Sequence, residues 1–342
     1  MNKLRILIGG GSGFVGTALT ASLIEQGHDV TIISRESKPA HSDFNYFTSW
    51  DQNPEAGTLT WENIARDGLP PAMDAVINLA GSNIMDFKKL WTCKYKEECV
   101  LSRVSTTQLL AKAISECDLP PSVWISTSSV HFYPPSKENE YDETSSFADF
   151  YPASKPKKGN FTNWFWASQL YASIENAAVI PDPETRIRSV ILRLGIVLGK
   201  GGGAYNSIHV PFFCCLGGTI GDGSQWFPYV HLKDVVRAYE FAIFEEQARG
   251  PLNVVAPSVC TNKEFTEALG KAMNRPTVLG VPDFMSMLMG KERASILFDG
   301  QHVKPSVLTS MGFAFDFPDA TSCCVNLVDG AVVEKDGPSA AH

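Results

Sequence analysis

Short runs of β-branched and aliphatic residues alternate with segments of helical periodicity through the first two hundred residues. The runs predicted to be strands are "LRILIGG", "DVTIISR", "DAVINLAG", "SVWISTSSV" and "RSVILRLGIVLG". Helices predicted between them include "TALTASLIEQGH", which closes at Gly27, and "YKEECVLSRVSTTQLLAKAISE". Strands separated by helix-length segments form βαβ units. The pattern therefore predicts an α/β fold, a Rossmann doubly wound parallel sheet with helices on both faces and a smaller C-terminal substrate lobe.

Two segments interrupt this alternation. Residues 36–60 are polar and aromatic and are predicted as a long surface loop that could include a short strand, and residues 134–160 are predicted as loop because Pro, Ser, Lys and Asp dominate them. The predicted division is a nucleotide-binding Rossmann domain over 1–198 with insertions at about 36–60 and 134–162, a substrate-side α/β lobe over 199–325, and a flexible tail over 326–342.

Composition excludes several classes of partner. The 342 residues are 44% hydrophobic, which provides a sizeable core. A net charge of −8 with scattered basic residues argues against nucleic acid as the main partner. No apolar run reaches the roughly 18 residues that span a bilayer. The N-terminal "MNKLRILIGG" is predicted to be a strand and not a targeting segment, so we expect no membrane association and a cytoplasmic location.

The eight cysteines form no C-x-x-C pair and are not accompanied by a histidine cluster. This pattern argues against a zinc site, so no metal is predicted. Reduced structural thiols are the better interpretation.

The stretch "GGGSGFVG" lies directly after the first predicted strand and before the first helix. In that context its spaced glycines predict a dinucleotide site, although a glycine-rich turn without a ligand is the alternative. Gly10 permits the turn and Gly13 the close approach of a pyrophosphate, while Gly16 lets the helix pack tightly. The phosphates would lie at the helix N-terminus, and Phe14 and Val15 complete the predicted loop contacts.

The end of the second strand bears on which cofactor binds. Ser34 and Arg35 stand where NAD-binding units place an acid that accepts from the ribose 2′-hydroxyl. A hydroxyl followed by a guanidinium suits a 2′-phosphate, so NADP(H) is predicted. Glu36 comes one residue late and keeps NAD open, and a solvated Arg35 is the neutral alternative.

The next strand closes with "NLAG" at the carboxyl edge of the sheet, where ligands of open α/β sheets bind. Leu79 and Ala80 are predicted to lie against the adenosine half of the cofactor. The small residues here, Gly81 included, let the backbone come close.

With these elements in place, the chain resembles the extended and atypical short-chain dehydrogenase/reductases. It is most similar to their branch of NADP-dependent epimerase or cell-division-inhibitor-like proteins. The runs that carry the resemblance include "NLAGSNI", "VLGKGGGA", "GGTIGDGSQWFPYVHLKDVV" and "FDGQHVKP", so it covers nearly the entire chain. It extends to that branch's C-terminal segment, here at about residues 280–318.

The resemblance implies further cofactor contacts at Glu98 and Arg103 on the helix after "NLAG", and at Val197 beside the nicotinamide. An exposed glutamate, a solvated arginine and a core valine are the alternatives. The superfamily often dimerises through helices flanking the sheet, which leaves a homodimer open.

The wider superfamily uses a Ser or Thr, a Tyr and a Lys, and the resemblance places Ser128 at the serine position. A strand-end serine bonded to backbone is the alternative. "YPASK" gives Tyr151 and Lys155 the spacing of the Tyr–Lys pair, but Pro156 would cost a helix roughly 3 kcal/mol. The favoured interpretation is that this pair is a chance match in a loop.

A better helix follows in "FTNWFWASQLYASIENAA". Aligned on it, Ala167 takes the place of the catalytic Tyr and Tyr171 that of the Lys, and residues 151–162 become an insertion. Tyr133, Tyr229 and His231 are weaker candidates to face the substrate pocket, with a structural hydrogen-bonding role favoured for His231.

Three hypotheses for function remain. The chain is an NADP-dependent oxidoreductase of an unknown small-molecule substrate, whose proton comes from Tyr171, Tyr133 or water. Alternatively, it binds NADP(H) without turnover, as a sensor or regulatory protein. A sugar-nucleotide epimerase is the weakest hypothesis, because reversible oxidation of a sugar hydroxyl depends most on the missing Tyr–Lys pair.

Overall fold

A seven-stranded parallel sheet forms the centre of the molecule. The computed structural model describes residues 2–35, 57–84, 89, 91–150, 165–180, 187–278, 280 and 299–330. The strands of the main sheet are β1 (Arg5–Gly9), β2 (Asp29–Ser34), β3 (Thr58–Thr60), β4 (Ala75–Asn78), β5 (Val123–Ser129), β7 (Arg188–Leu194) and β10 (Gly250–Val254). Two further parallel pairs join β6 (Glu140–Tyr141) to β11 (His302–Val303), and β8 (Ile196–Gly199) to β9 (Tyr229–His231).

The strand order of the main sheet is β10-β7-β5-β4-β1-β2-β3. From β1 the chain moves outward through β2 and β3, then returns to β4 on the other side of β1 and continues through β5, β7 and β10. In the register, Ile6 of β1 pairs with Val30 of β2 and with Ala75 of β4. The order therefore reverses between β1 and β4, where the carboxyl ends of an open sheet leave a ligand crevice. The predicted doubly wound α/β fold is confirmed.

Helices cover both faces of this sheet. They are α1 (Phe14–Glu25), α2 (Trp61–Asp67), α3 (Cys93–Ser115), α4 (Phe147–Phe150), α5 (Phe165–Ala177), α6 (Gly203–Phe213), α7 (Leu232–Phe244), α8 (Asn262–Ala272), α9 (Ser306–Ser310) and α10 (Ala320–Asp329). Side chains alternate along β1, so Ile6 and Ile8 pack in the core with α1 and α7, whereas Leu7 packs on the opposite face with α2 and α3. A sheet buried on both faces accounts for the nearly continuous apolar runs of its strands.

Two predicted boundaries differ from the structure. The run "RSVILRLGIVLG" is two strands, since the chain leaves the main sheet at Gly195, where a Cβ atom would lie 2.5 Å from the carbonyl oxygen of Pro228. Its second half, β8, pairs with β9 instead. The loop predicted over 134–160 contains β6 and α4. The first predicted loop, over 36–60, ends in β3, the short strand that its sequence allowed.

The main sheet takes strands from both sides of residue 198, the predicted boundary between domain and lobe. Strand β10 pairs with β7, and Val235 and Tyr239 of α7 belong to the same core as Ile6 and Ile8. A second core, which includes Tyr205, Phe265 and Cys323, underlies α6, α8 and α10. Within the parts of the chain described, no helix is long and apolar enough to cross a membrane.

Candidate functional site

The glycine turn between β1 and α1 leaves no room for side chains. Gly10 has φ +77°, and a Cβ atom there would lie 2.8 Å from the amide nitrogen of Ala80. A Cβ atom on Gly16 would lie 2.2 Å from the Gly10 carbonyl oxygen, so α1 is seated directly on the turn. Gly13 is the exposed N-cap of α1. The N-terminus of α1 thus opens at the crevice, in the arrangement that holds a pyrophosphate.

Phe14 connects this turn to the segment after β8. Cβ atoms on Gly199, Gly202 and Gly203 would each lie 3.0 Å or less from the Phe14 ring, with the shortest distance 2.3 Å at Gly202. The glycines of "GKGGG" therefore make space for that ring. Val15 is partly buried against the main core. The two predicted contacts can reach a nucleotide through their backbone, while their side chains serve packing.

The rim beyond β2 carries opposite charges. Ser34 is buried at the strand end and Arg35 is exposed. Glu98 on α3 accepts hydrogen bonds from Lys89 Nζ at 3.0 Å and from Ser82 Oγ at 3.2 Å. The Lys89 hydrogen bond is the main influence that holds the pKa of Glu98 below its usual range, and the charge of Arg35 contributes. The structure thus brings Arg35 and Glu98 to one rim, whereas Glu36 lies outside the described residues.

The "NLAG" segment is held by Asn78, which sequence reasoning passed over. Its side chain is buried, donates to Thr107 Oγ1 at 2.9 Å and accepts the backbone N–H of Ala80 at 3.1 Å. An asparagine closing a strand before a predicted ligand edge was the available signal. Beyond it, Leu79 and Ala80 are half-buried and Gly81 is exposed.

The side chain of Arg103 covers Gly81. A Cβ atom on Gly81 would lie 2.7 Å from Arg103 Cζ, and Arg103 Nη1 donates to the Cys99 carbonyl at 3.2 Å. Arg103 is half-buried, and its guanidinium lies beside Gly81 at the end of the "NLAG" segment.

At the end of β5, the side chain of Ser128 is directed away from solvent. Ser128 is 3% exposed and donates to Glu175 Oε1 at 2.8 Å. Arg193 binds both oxygens of that carboxylate, with Nε–Oε1 and Nη2–Oε2 distances of 2.8 Å. The predicted catalytic serine therefore belongs to a buried ion-pair network.

The neighbouring Ser129 is half-buried and was not predicted. Its Oγ lies 2.8 Å from His131 Nδ1, and the His131 ring lies beside that of Tyr171 with 6.0 Å between the ring centroids. Ala167 lies one turn before Tyr171 on α5 and is buried without a polar group. The signal for Ser129 was the hydroxyl run "STSS", which does not say which hydroxyl faces the crevice. Tyr151 and Lys155 lie outside the described residues.

The weaker tyrosine candidates do not face a pocket. Tyr133 is fully buried, donates to the Asp142 carbonyl and accepts from Arg193 Nη1 at 2.7 Å; burial raises its pKa to about 12. Tyr229 is 1% exposed within the second core. Both rings are enclosed within the protein, so neither of these weaker candidates is exposed to a substrate.

Val197 and His231 belong to the paired strands β8 and β9. His231 caps α7 through its Nδ1, the structural role favoured by the sequence. Val197 lies within β8, half-buried and paired with Val230.

Known proteins of one family are similar to this chain in sequence. The family model described as the NAD dependent epimerase/dehydratase family matches residues 6–255, from β1 through β10. The chain belongs to that family. Within the family it is 38% identical to the human epimerase family protein SDR39U1 over 95% of this chain and 100% of the human protein. It is 29% identical to an epimerase family protein of Staphylococcus haemolyticus, over 95% of this chain and 99% of that protein.

Solved structures of family relatives agree with the fold. The crystal structure of human SDR39U1 (isoform 2) with NADPH superposes with a TM-score of 0.83 at 36% identity, covering 96% of this chain and 100% of that one. A nucleoside-diphosphate sugar epimerase from Corynebacterium glutamicum, at 23% identity and TM-score 0.67, covers 96% of this chain and 60% of that one and shows the fold alone.

The C-terminal segment predicted from the resemblance also matches a model of its own. A domain of unknown function, DUF1731, covers residues 281–327. Its described part is tied to the main core, because the buried carboxylate of Asp234 accepts the backbone N–H groups of Asp316 at 2.7 Å and Phe317 at 3.0 Å.

Proposed function

We propose that this chain is an NADP(H)-dependent oxidoreductase that acts on a small molecule through a carbonyl or hydroxyl group. The observation that supports the cofactor is the glycine turn at the β1–β4 crevice combined with Arg35 at the end of β2. Human SDR39U1, 38% identical, was crystallised with NADPH.

The residues present fit a dinucleotide. Ala80 leaves no room for a side chain at Gly10, so the turn between β1 and α1 keeps its tight shape. The N-terminus of α1 then offers backbone N–H groups to a pyrophosphate. Arg35 would hold the 2′-phosphate, with Lys89 as a second cation at the same rim. When bound, NADPH supplies a hydride.

Titration of intrinsic fluorescence with NADPH and NADH tests this assignment. Charge-assisted hydrogen bonds contribute about 1.5–3 kcal/mol each, so Arg35→Ala should weaken NADPH binding by about 10- to 100-fold and leave NADH binding nearly unchanged. Arg66→Ala is the matched control, because Arg66 is an exposed arginine paired with Asp67 on α2. Equal weakening of both nucleotides, or tighter binding of NADH by the wild type, would contradict the proposal.

A second candidate is an NADP(H)-binding protein without turnover. It is favoured by Ala167, because the helix position that matches the superfamily's tyrosine has no hydroxyl. NADPH oxidation with a panel of aldehydes and ketones separates the two. Binding without turnover across the panel would favour the sensor.

A further inference from the structure

The segment from Gly199 to Gly203 forms a tight hairpin between β8 and α6, which we call the glycine hairpin. Gly199 bridges to Gly202 in antiparallel orientation. Gly201 and Gly203 have φ of +86° and +63°, the left-handed region that favours glycine. Because α6 begins at Gly203, the hairpin sets the direction in which this helix leaves β8.

The ring of Phe14 occupies the space that the glycine hairpin leaves open. A Cβ atom would lie 2.3 Å from the ring at Gly202, 2.6 Å at Gly203 and 3.0 Å at Gly199. Protein interiors are close-packed, and a gap of about 0.5–1 Å forfeits roughly a quarter to a half of a dispersion contact. Since the ring lies against the hairpin at three positions, neither can shift without the other.

The backbone of Phe14 belongs to the turn between β1 and α1. The N–H of Gly13, the N-cap of α1, donates to the Gly10 carbonyl at 3.0 Å, and the Gly13 carbonyl accepts the Thr17 N–H at 2.8 Å. Phe14 is the first helical residue, so its N–H is one of the four that a helix leaves without an intrahelical acceptor. A pyrophosphate would bind to these N–H groups. One residue thus has its amide at the proposed phosphate site and its ring in the glycine hairpin.

The glycine hairpin is also tied to the second core. Lys200 Nζ donates to the Val328 carbonyl at 2.9 Å, and Tyr205 Oη donates to the Leu327 carbonyl at 3.1 Å. The hairpin and the first turn of α6 are therefore both bonded to the last turn of α10. Tyr205 and Leu327 are buried in the second core. A displacement of the hairpin is thus transmitted to α6 and α10.

We propose that Phe14 is a positioning residue that couples the nucleotide to α6. A dinucleotide bound at the N-terminus of α1 fixes the Phe14 ring, and the ring fixes the glycine hairpin and α6. This inference rests on the proposed NADP(H) site. It gives α6, the first helix of the predicted substrate-side lobe, a position that depends on the bound nucleotide. Because coupling free energies are reciprocal, a change in the hairpin also changes the affinity for the nucleotide.

Amide hydrogen exchange measures the coupling in one direction. Saturating NADPH should slow exchange in residues 199–213 of the wild type by at least about fivefold. In Phe14→Ala, also saturated with NADPH, the slowing should persist in residues 10–25 and disappear in residues 199–213. Phe244→Ala is the matched control, because Phe244 is also half-buried against the main core but its ring lies beside His28. This control should keep the slowing in both segments.

A double-variant cycle measures the coupling in the other direction. Gly202 has φ −177°, extended backbone that any residue adopts, so the methyl group of Gly202→Ala acts through the Phe14 ring, which supplies the three atoms nearest to it. Gly202→Ala should weaken NADPH binding by at least about fivefold. The double variant Phe14→Ala/Gly202→Ala should bind NADPH as Phe14→Ala does, because the methyl group then displaces no ring. Gly57→Ala should leave the Kd unchanged, since a Cβ atom there meets nothing within 4 Å.

The outcomes separate this inference from the proposed function. NADPH binding that leaves exchange in residues 199–213 of the wild type unchanged, or slowing there that persists in Phe14→Ala, would overturn the inference. Wild-type affinity in Gly202→Ala, or a double variant that binds NADPH more weakly than either single variant, would do the same. If Gly202→Ala does not fold, the exchange comparison decides. A wild type that binds neither NADPH nor NADH would instead refute the proposed function.

Discussion

The ion pair between Glu175 and Arg193 should be a principal determinant of stability. Glu175→Ala would leave the Arg193 guanidinium buried, 2.7 Å from Tyr133 Oη and 3.8 Å from the Phe132 ring centroid, with no carboxylate bound to it. Breaking a buried pair by removing one partner costs about 3–5 kcal/mol, because the other charge loses its compensation. Loss of the acceptor for Ser128 adds to this cost.

Urea unfolding measures the effect as a lower midpoint at unchanged slope. The double variant Glu175→Leu/Arg193→Met should lose less than Glu175→Ala alone, since an apolar pair leaves no charge buried. Glu116→Ala is the matched control and should change stability by at most about 0.5 kcal/mol. Its partner Lys112 is also exposed, and the two charged atoms are 3.8 Å apart. A loss below about 1 kcal/mol for Glu175→Ala would refute this account of the network.

Two further predictions concern the crevice. Gly10→Ala should destabilise the protein more than Gly27→Ala and should abolish nucleotide binding. Both glycines have positive φ, but only at Gly10 would the added Cβ atom meet Ala80. Thermal unfolding and NADPH titration compare the two variants. Burial lowers the pKa of His131 to about 4, so the unfolded chain takes up its proton first as the pH falls. The wild type should therefore lose up to about 3 kcal/mol between pH 6.5 and about 4 relative to His131→Gln, and parallel stability curves for the two proteins would contradict this.

The sheet could be predicted because its information is local. Strands buried on both faces appear as continuous apolar runs, and β1, β2, β4 and β5 lie within the predicted runs. The break at Gly195 could not be predicted in this way. Both β7 and β8 are apolar, and what separates them is the approach of the Pro228 carbonyl from a distant part of the chain. Similarly, α1 begins at Phe14, three residues before its predicted start, because the turn ends at Gly13.

The candidate site likewise has a part that could be predicted from the sequence and a part that could not. The cofactor positions follow from glycines and a strand-end arginine, whose meaning depends mainly on the strand–turn–helix unit around them. The hydroxyls at the end of β5 are different, because adjacent residues of a strand point to opposite faces and a single position exchanges their roles. Here Glu175 of α5 binds the Ser128 hydroxyl, whereas the Ser129 hydroxyl contacts His131 in the turn after β5. An alignment on a family serine cannot show which hydroxyl is buried, because the partner of Ser128 lies 47 residues further along the chain. The partners of each hydroxyl, and not its position in the motif, therefore decide which of the two serines belongs to the buried ion-pair network.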